Sequence, residues 1–478
     1  MGVRSWLQGA VFWVMVAGVL GAALALGANR PISWLTLSAA ALVLFGLQML
    51  IDLTDRAAGR LWLRALPVAL LYLGVIAWAV VQTLPIADWG WPELAHPSWA
   101  EAERIAGIPG PARITADTSA TWQGILRYLA YAAVFWIAAR AANIDRARHL
   151  IDVIALFSLG LALIGLVFWA VGTNPITSDE YYPDSVKASF TNRNAYAYHA
   201  GVGAMACLTA LAFRLPAQGG RGQGTGLAML RDLVEMLLGP GRWYLLGMVV
   251  ILAAILLTGS RAGSAVTMIG IGLIAVLIFG RAGSVLRWVG LGVMMAMVGV
   301  LALVATTLRE RLSGNDPAED QRMVVYERTW QGIWDRFWTG HGLGAYEDAF
   351  RPYVPRFFTG NEWDKAHNSY LENAFELGLP AMAALTLALG MLGWRIWAGL
   401  EERRRMRPLM AFGLAIFVAG ALHALLDFSL QMPATATLFA VILGVSWSLA
   451  RREKPNRASS GRRRSSESRS APMGALEP

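Results

Sequence analysis

Residues 242–280 read RWYLLGMVVILAAILLTGSRAGSAVTMIGIGLIAVLIFG. Two apolar runs, about 243–259 and 262–280, flank the turn Thr258-Gly259-Ser260-Arg261-Ala262-Gly263, and Arg261 is the one charged residue between Trp243 and Phe279. Because a helix rises 1.5 Å per residue, about 17–25 apolar residues cross a hydrocarbon core about 30 Å thick. The stretch therefore reads as two membrane-crossing helices joined by a tight, charged hairpin. Outward from it the same pattern recurs, at about 6–28, 32–51, 62–84, 121–141, 149–172 and 194–213 before it, and at about 285–307, 373–398, 408–430 and 434–450 after it. The expectation is an all-α, polytopic membrane protein of about 12 transmembrane helices, forming one domain over residues 1–450.

Composition agrees. Of 478 residues, 56% are hydrophobic and 15% charged, against about 45–50% and about 25% in soluble domains. Twenty tryptophans fit a chain with two membrane–water boundaries. An ordinary cytosolic enzyme, a secreted fibre and a disordered chain are excluded. Trp6–Ala28 is longer than a signal-peptide core of about 7–15 residues and leads into further spans, so it reads as the first transmembrane helix. The single cysteine, Cys207, forms no intrachain disulfide and no metal cluster. The net charge of +9 is not a nucleic-acid face, since residues 451–478 alone hold eight Lys/Arg against three Glu. Their Arg/Ser/Pro/Gly composition reads as a disordered basic tail.

Orientation follows from the loops. With the N-terminus inside, the inner segments carry Arg56, Arg60, Arg64, Arg140, Arg146, Arg148, Arg214, Arg221, Arg231, Arg242, Arg281, Arg287 and the cluster Arg403, Arg404, Arg405 and Arg407. The short outer loops carry Arg30, Lys187, Arg193 and Arg261. This is the positive-inside pattern, with both termini cytoplasmic. Two outer loops are long, Pro85 to about Ala120 and about 308–371, and long loops that persist are often functional. The second is expected to be partly helical. Asp316-Pro317 has the form of a helix start, and Met323, Tyr326, Trp330, Ile333, Trp334 and Phe337 recur at helical spacing, a stripe suited to packing on the membrane surface or on other helices.

Arg193, in Thr191-Asn192-Arg193-Asn194, and Arg261 break the orientation rule, and each opens a helix. Cations at helix N-termini are unfavourable unless an anion sits between them. Free N–H groups flanked by Gly and Ser, with paired guanidinium donors, suit a diphosphate. Anchorage of each arginine to lipid headgroups is the alternative. His367 lies in Ala366-His367-Asn368-Ser369-Tyr370-Leu371-Glu372, where Ser369 and Glu372 have capping-box spacing. A place just before a helix disfavours imidazolium and suits a general base, or else a helix-entry residue bonding the backbone. His341, in Gly340-His341-Gly342-Leu343-Gly344, sits among glycines suited to a tight turn, with no strand–helix unit to make a dinucleotide site. His423 and Asp427 share a helical face. Asp427 near the membrane is a functional candidate, or one half of a helix-to-helix bond. His96, His149 and His199 show no partner spacing. With no HExxH, cysteine pair or acidic cluster, no essential metal is expected.

The order of Ser189-Phe190-Thr191-Asn192-Arg193-Asn194, then Thr258 to Gly263, then a loop with Arg322 through Trp330, Gly340 to Gly344 and Ala366 to Leu371, resembles the O-antigen ligase/polymerase superfamily over about residues 185–450. That resemblance implies a metal-independent glycosyltransferase, without cofactor, of the bacterial inner membrane, its active site facing the periplasm in the loop at about 308–371. Its donor would be a glycan on undecaprenyl diphosphate, and its acceptor a glycan or lipid A-core. It implies that Arg193 and Arg261 hold the diphosphate, that Arg322 contacts phosphate or sugar, and that His367 takes the acceptor hydroxyl's proton. His341 departs from the small apolar residue expected in its glycine stretch, which makes it a candidate second proton-transfer group. Asp427 is the other secondary candidate.

The stretch from His423 to Pro433 looks like exopolysaccharide-type polymerases, so a Wzy-type polymerase is slightly favoured over a ligase. From another class, a polytopic transporter also fits twelve spans, although alternating access places polar groups at the midplane and here they gather at the outer face. A membrane scaffold without chemistry ranks last.

Overall fold

In the computed structural model, residues 2–107, 110–177, 185–214, 239, 241–279, 317–355 and 363–451 are described. They fold as helices with no strand among them. In chain order the α-helices are α1 Val3–Leu24, α2 Pro31–Asp52, α3 Arg56–Gln82, α4 Pro97–Ala106, α5 Thr118–Ala141, α6 Ile144–Val171, α7 Arg193–Arg214, α8 Arg242–Leu257, α9 Arg261–Phe279, α10 Pro317–Asp335, α11 Tyr346–Phe350, α12 Ser369–Leu377, α13 Leu379–Glu402, α14 Arg407–Ala424 and α15 Pro433–Leu449.

Eight of these, α1, α2, α3, α6, α7, α9, α13 and α14, are long and apolar enough to cross a membrane. Three further expected spans coincide with α5, of 24 residues, and with the apolar α8 and α15, of 16 and 17. The span expected at about 285–307 lies outside the described residues, as do residues 308–316 and 356–362 of the long loop, residues 452–478 of the tail, and Arg221, Arg231, Arg281 and Arg287.

The bundle is built around α7. It packs against α6, α8 and α9, and nearly every residue from Ala195 to Cys207 is buried. Small residues make that possible. Gly201, Gly203, Ala197, Ala200, Ala204 and Ala206 let neighbouring backbones close in, as helices in lipid require. Around this centre, α5 pairs with α15, α9 with α14, and α3 with α13.

At one end the helices are laced by arginine. Arg140 donates to Asp52 and Asp55 at 2.8 and 2.9 Å, and Arg214 to Asp152 at 3.0 and 2.9 Å. At the other end the two long loops fold together into a cap with its own apolar core of Val325, Ile333, Tyr346, Phe350 and Phe375. Gln82, at the last turn of α3, straps this cap down. Its Nε2 donates to Thr339 O (2.8 Å) and Glu376 O (2.9 Å), and its Oε1 accepts from Leu343 N (3.1 Å). The glycine stretch is a turn: Gly340, Gly342 and Gly344 all have φ above +60°, and a Cβ on Gly342 would collide with Thr115.

Within the cap α10 divides the expected stripe. Val325, Thr329 and Ile333 are buried, Tyr326 is half-buried, and Met323, Trp330 and Trp334 are exposed. The proposed N-cap of this helix, Asp316, lies outside the described residues.

Candidate active site

Three helix N-termini meet at the capped end of the bundle, each closed by a side chain. Asn192 accepts from Asn194 N (2.8 Å) and Ala195 N (3.0 Å) to start α7, which makes Arg193 its first residue. Ser260 accepts from Gly263 N (3.1 Å) to start α9, with Arg261 first. Asn368 accepts from Tyr370 N (3.0 Å) and Leu371 N (3.1 Å) to start α12, which leaves His367 one residue outside. The expected capping box of Ser369 and Glu372 is therefore displaced. Asn is among the strongest N-caps, and the Ser369 hydroxyl is engaged elsewhere, donating to Asp427 O at 3.2 Å. Glu372 reaches back instead to Ala366 N (2.9 Å) and to Lys365 Nζ (3.3 Å).

The two expected arginines are neighbours through the turn between α8 and α9. Gly259 has φ +65°, and a Cβ built there would lie 3.4 Å from Arg193 Nη1. The α7 arginine thus lies against the turn that carries Arg261. Each of these two helix N-termini, which carry partial positive charge, thus bears an arginine as its first residue.

Asp427 ties the start of α7 to His367. It lies three residues beyond the end of α14, 1% exposed. Oδ1 accepts from His367 Nδ1 (3.3 Å) and Phe428 N (2.8 Å), and Oδ2 accepts from Asn194 Nδ2. Burial alone would push the Asp427 carboxyl up. The His367 hydrogen bond, the charges of His367 and His423 and the Phe428 N–H outweigh it and hold the group below the ordinary carboxylate range. Asp427 engages Nδ1 of His367, and Nε2 makes no hydrogen bond among the described residues.

The backbone of His367 is strained, with φ +52°, a region costly for a side chain bearing a Cβ. It is held there from every side. Tyr326 donates its hydroxyl to His367 O (3.0 Å), Glu372 clamps Ala366, and Asn368 caps the next helix. The ring packs edge-on against Phe428 at 5.0 Å and Trp363 at 6.3 Å. Arg322 stands one turn before Tyr326. Burial raises the Tyr326 hydroxyl, Arg322 opposes and Asp427 adds to that shift, so both charges reach it.

His341 is placed differently. It is 2% exposed, stacked on Phe375 at 4.0 Å, and both ring nitrogens are occupied. Ser98 N donates to His96 Nδ1 (3.2 Å), His96 Nε2 to His341 Nδ1 (2.9 Å), and His341 Nε2 to Gly332 O (3.0 Å). A backbone donor at one end and a carbonyl at the other leave each neutral ring one tautomer. Burial lowers both rings, His96 to about 3 and His341 to about 4. The pair staples the first long loop to the second.

His423 is buried within α14, next to the Tyr198 ring at 5.3 Å. Among the described residues, no group of three His, Cys, Asp or Glu side chains has the spacing to hold a metal ion.

Contacts link His367, Asp427 and Asn194, and Arg193 lies against the turn that leads to Arg261, while Arg322 stands one turn from Tyr326 and His341 lies apart. The parts played by Asn194, by Tyr326, read only as a member of the apolar stripe, and by His96, read as lacking a partner, did not come from the sequence. Asn194 had a signal, a second Asn in the first turn of an otherwise apolar helix.

Residues 246–386, which hold the Arg261 turn, α10 and the His367 segment, match the family model described as O-Antigen ligase. No curated protein matches the chain.

Proposed function

We propose, from the match of residues 246–386 to the O-antigen ligase family model, that this multi-pass membrane protein transfers a glycan from undecaprenyl diphosphate to an acceptor hydroxyl at the periplasmic face of the bacterial inner membrane. The observation that carries the reading is the His367–Asp427–Asn194 chain of contacts, which sets a base beside the helix start that bears Arg193.

In the reaction the acceptor oxygen attacks the anomeric carbon and His367 Nε2 takes its proton. The bond from that carbon to the diphosphate oxygen breaks, and its electron pair leaves on the diphosphate. Arg193 and Arg261, each at a helix N-terminus, stabilise the growing charge, and Arg322 meets phosphate or sugar at the rim. Asp427 fixes the His367 tautomer and stabilises the imidazolium that forms. A positioned base contributes typically about 10²–10⁴-fold, and preorganised charge at the leaving group can contribute more. His367, Asp427, Asn194 and the two helix-start arginines lie at one end of the bundle and not at its middle, which favours transfer over transport. The arginine-laced end is the cytoplasmic one by the positive-inside rule.

The test uses purified protein in lipid with undecaprenyl-diphosphate-linked oligosaccharide, with and without lipid A-core, reading glycan by gel and lipid diphosphate by mass spectrometry. A ladder of longer lipid-linked glycans without added acceptor identifies the slightly favoured polymerase. Product that requires lipid A-core identifies a ligase. Lipid diphosphate release in neither condition overturns the transferase reading.

A further inference from the structure

A second concave surface lies at the opposite end of the bundle from His367, where α3, α13 and α15 part to leave a groove of about 480 Å³. Apart from Leu61, one turn nearer the helix end than Arg64, its lining is sorted along the membrane normal. Arg64 stands eight residues into α3, Arg395 seven before the end of α13 and Arg451 just beyond α15, so the arginines ring its mouth. Val68, Leu387 and Met391 lie roughly one to two helical turns deeper at about 5.4 Å per turn and form an apolar floor. Trp394 and Trp447 flank the boundary between the two zones.

The surrounding surface is the kind lipid covers, with Leu63, Leu70, Leu387 and Trp394 all exposed. Arg395 is already matched, donating to Glu402 at 3.0 Å through both terminal nitrogens and to Ala450 O at 2.9 Å. Arg64 and Arg451 make no ion pair among the described residues, so the mouth keeps a net positive charge. Arginine at this depth in lipid is costly without a counter-charge, and a cationic mouth above an apolar floor has the shape of an amphiphile with an anionic head.

We infer that this groove binds one anionic glycerophospholipid from the leaflet at the arginine-rich end. Its phosphate sits between Arg64 and Arg451 with the Ser448 hydroxyl beside it, and its acyl chains run down along Leu387, Met391 and Val68. Basic pockets between transmembrane helices hold anionic headgroups in this way. The inference is independent of the glycan-transfer reading, because the groove shares no residue with the site around His367.

Native mass spectrometry of the full chain, released from detergent with dioleoyl phosphatidylglycerol or dioleoyl phosphatidylcholine, tests it. Phosphatidylglycerol should form a one-to-one adduct at about fivefold or greater preference, by the charge argument. Arg64→Ala with Arg451→Ala should reduce it to the phosphatidylcholine level at unchanged melting temperature. Gly390→Leu fills the groove without touching its charge, since a Cβ there meets nothing within 4 Å, and it should displace the lipid too. Equal binding of both lipids, or full retention in the double variant, overturns the inference. So does loss in the arginine variant with full retention in Gly390→Leu, which would mean attraction to an open surface.

Discussion

At the scale of single residues, Asp427 holds two donors at once, His367 Nδ1 and Asn194 Nδ2. A carboxylate accepts from both, whereas an amide turns an NH₂ group towards one of them. Asp427→Asn should therefore keep the fold and slow transfer by about 10²-fold or more, the scale of positioned acid–base help; release of lipid diphosphate within twofold of the parent would remove the residue from the mechanism. Arg261→Lys should slow release by about tenfold or more, since an ammonium cannot make paired bonds to phosphate oxygens. The histidine staple has a pH signature. Unfolded imidazoles take up a proton near pH 6.5, while His96 and His341 stay neutral in the fold down to about 3 and about 4. The unfolded chain thus binds more protons as pH falls from 6.5 towards 4, and stability drops in that window by about 1.4 kcal/mol per pH unit for each ring. Melting temperatures from pH 7.5 to 5.0 should fall less steeply for His96→Leu/His341→Phe than for the parent. Arg193, Arg261 and His367 stand out in the sequence because each defies a local rule of charge or helix entry. His96 does not, because its partner is 245 residues away and no local spacing announces it.

At the scale of elements, α10 shows why a periodic stripe says less than where its faces go. The same apolar spacing supplies a buried row at Val325, Thr329 and Ile333 and an exposed row at Met323, Trp330 and Trp334, with Asp335 and Arg328 on a third side. Its far end meets the bundle where Leu379 N donates to Phe337 O (2.9 Å), at the first turn of α13. A Trp-rich exposed row suits the interfacial zone of the bilayer. In a Cys207→Ser background, an environment-sensitive dye on Trp334→Cys should report lipid, and the same dye on Asp335→Cys should report water; the reverse pattern would put the stripe against solvent. Helix positions came through the hydropathy well. Helix starts did so less, because whether Asn368 or Ser369 closes α12 depends on the distant Asp427 carbonyl that occupies the serine.

At the scale of the whole molecule, the arginine-laced end and the capped end are chemically distinct surfaces, and the sidedness they imply can be measured. With Cys207→Ser, a membrane-impermeant maleimide should label Ser98→Cys in intact spheroplasts and Arg405→Cys only after permeabilisation. Labelling of Arg405→Cys from outside would invert the topology and move the proposed site to the cytoplasm. The all-helical class was legible because a bilayer imposes one repeated length on the chain. The cap was not, because its two loops cohere through Gln82 and the histidine pair, contacts that no periodicity encodes. Finally, the Asn194–Asp427 contact spans 233 residues. At ribosomal speeds of about 5–20 residues per second, roughly 10–50 s separate the synthesis of its two ends. Throughout that interval Asn194 stands at the start of α7 without its carboxylate, so this end of the bundle closes only when nearly the whole membrane domain has been made.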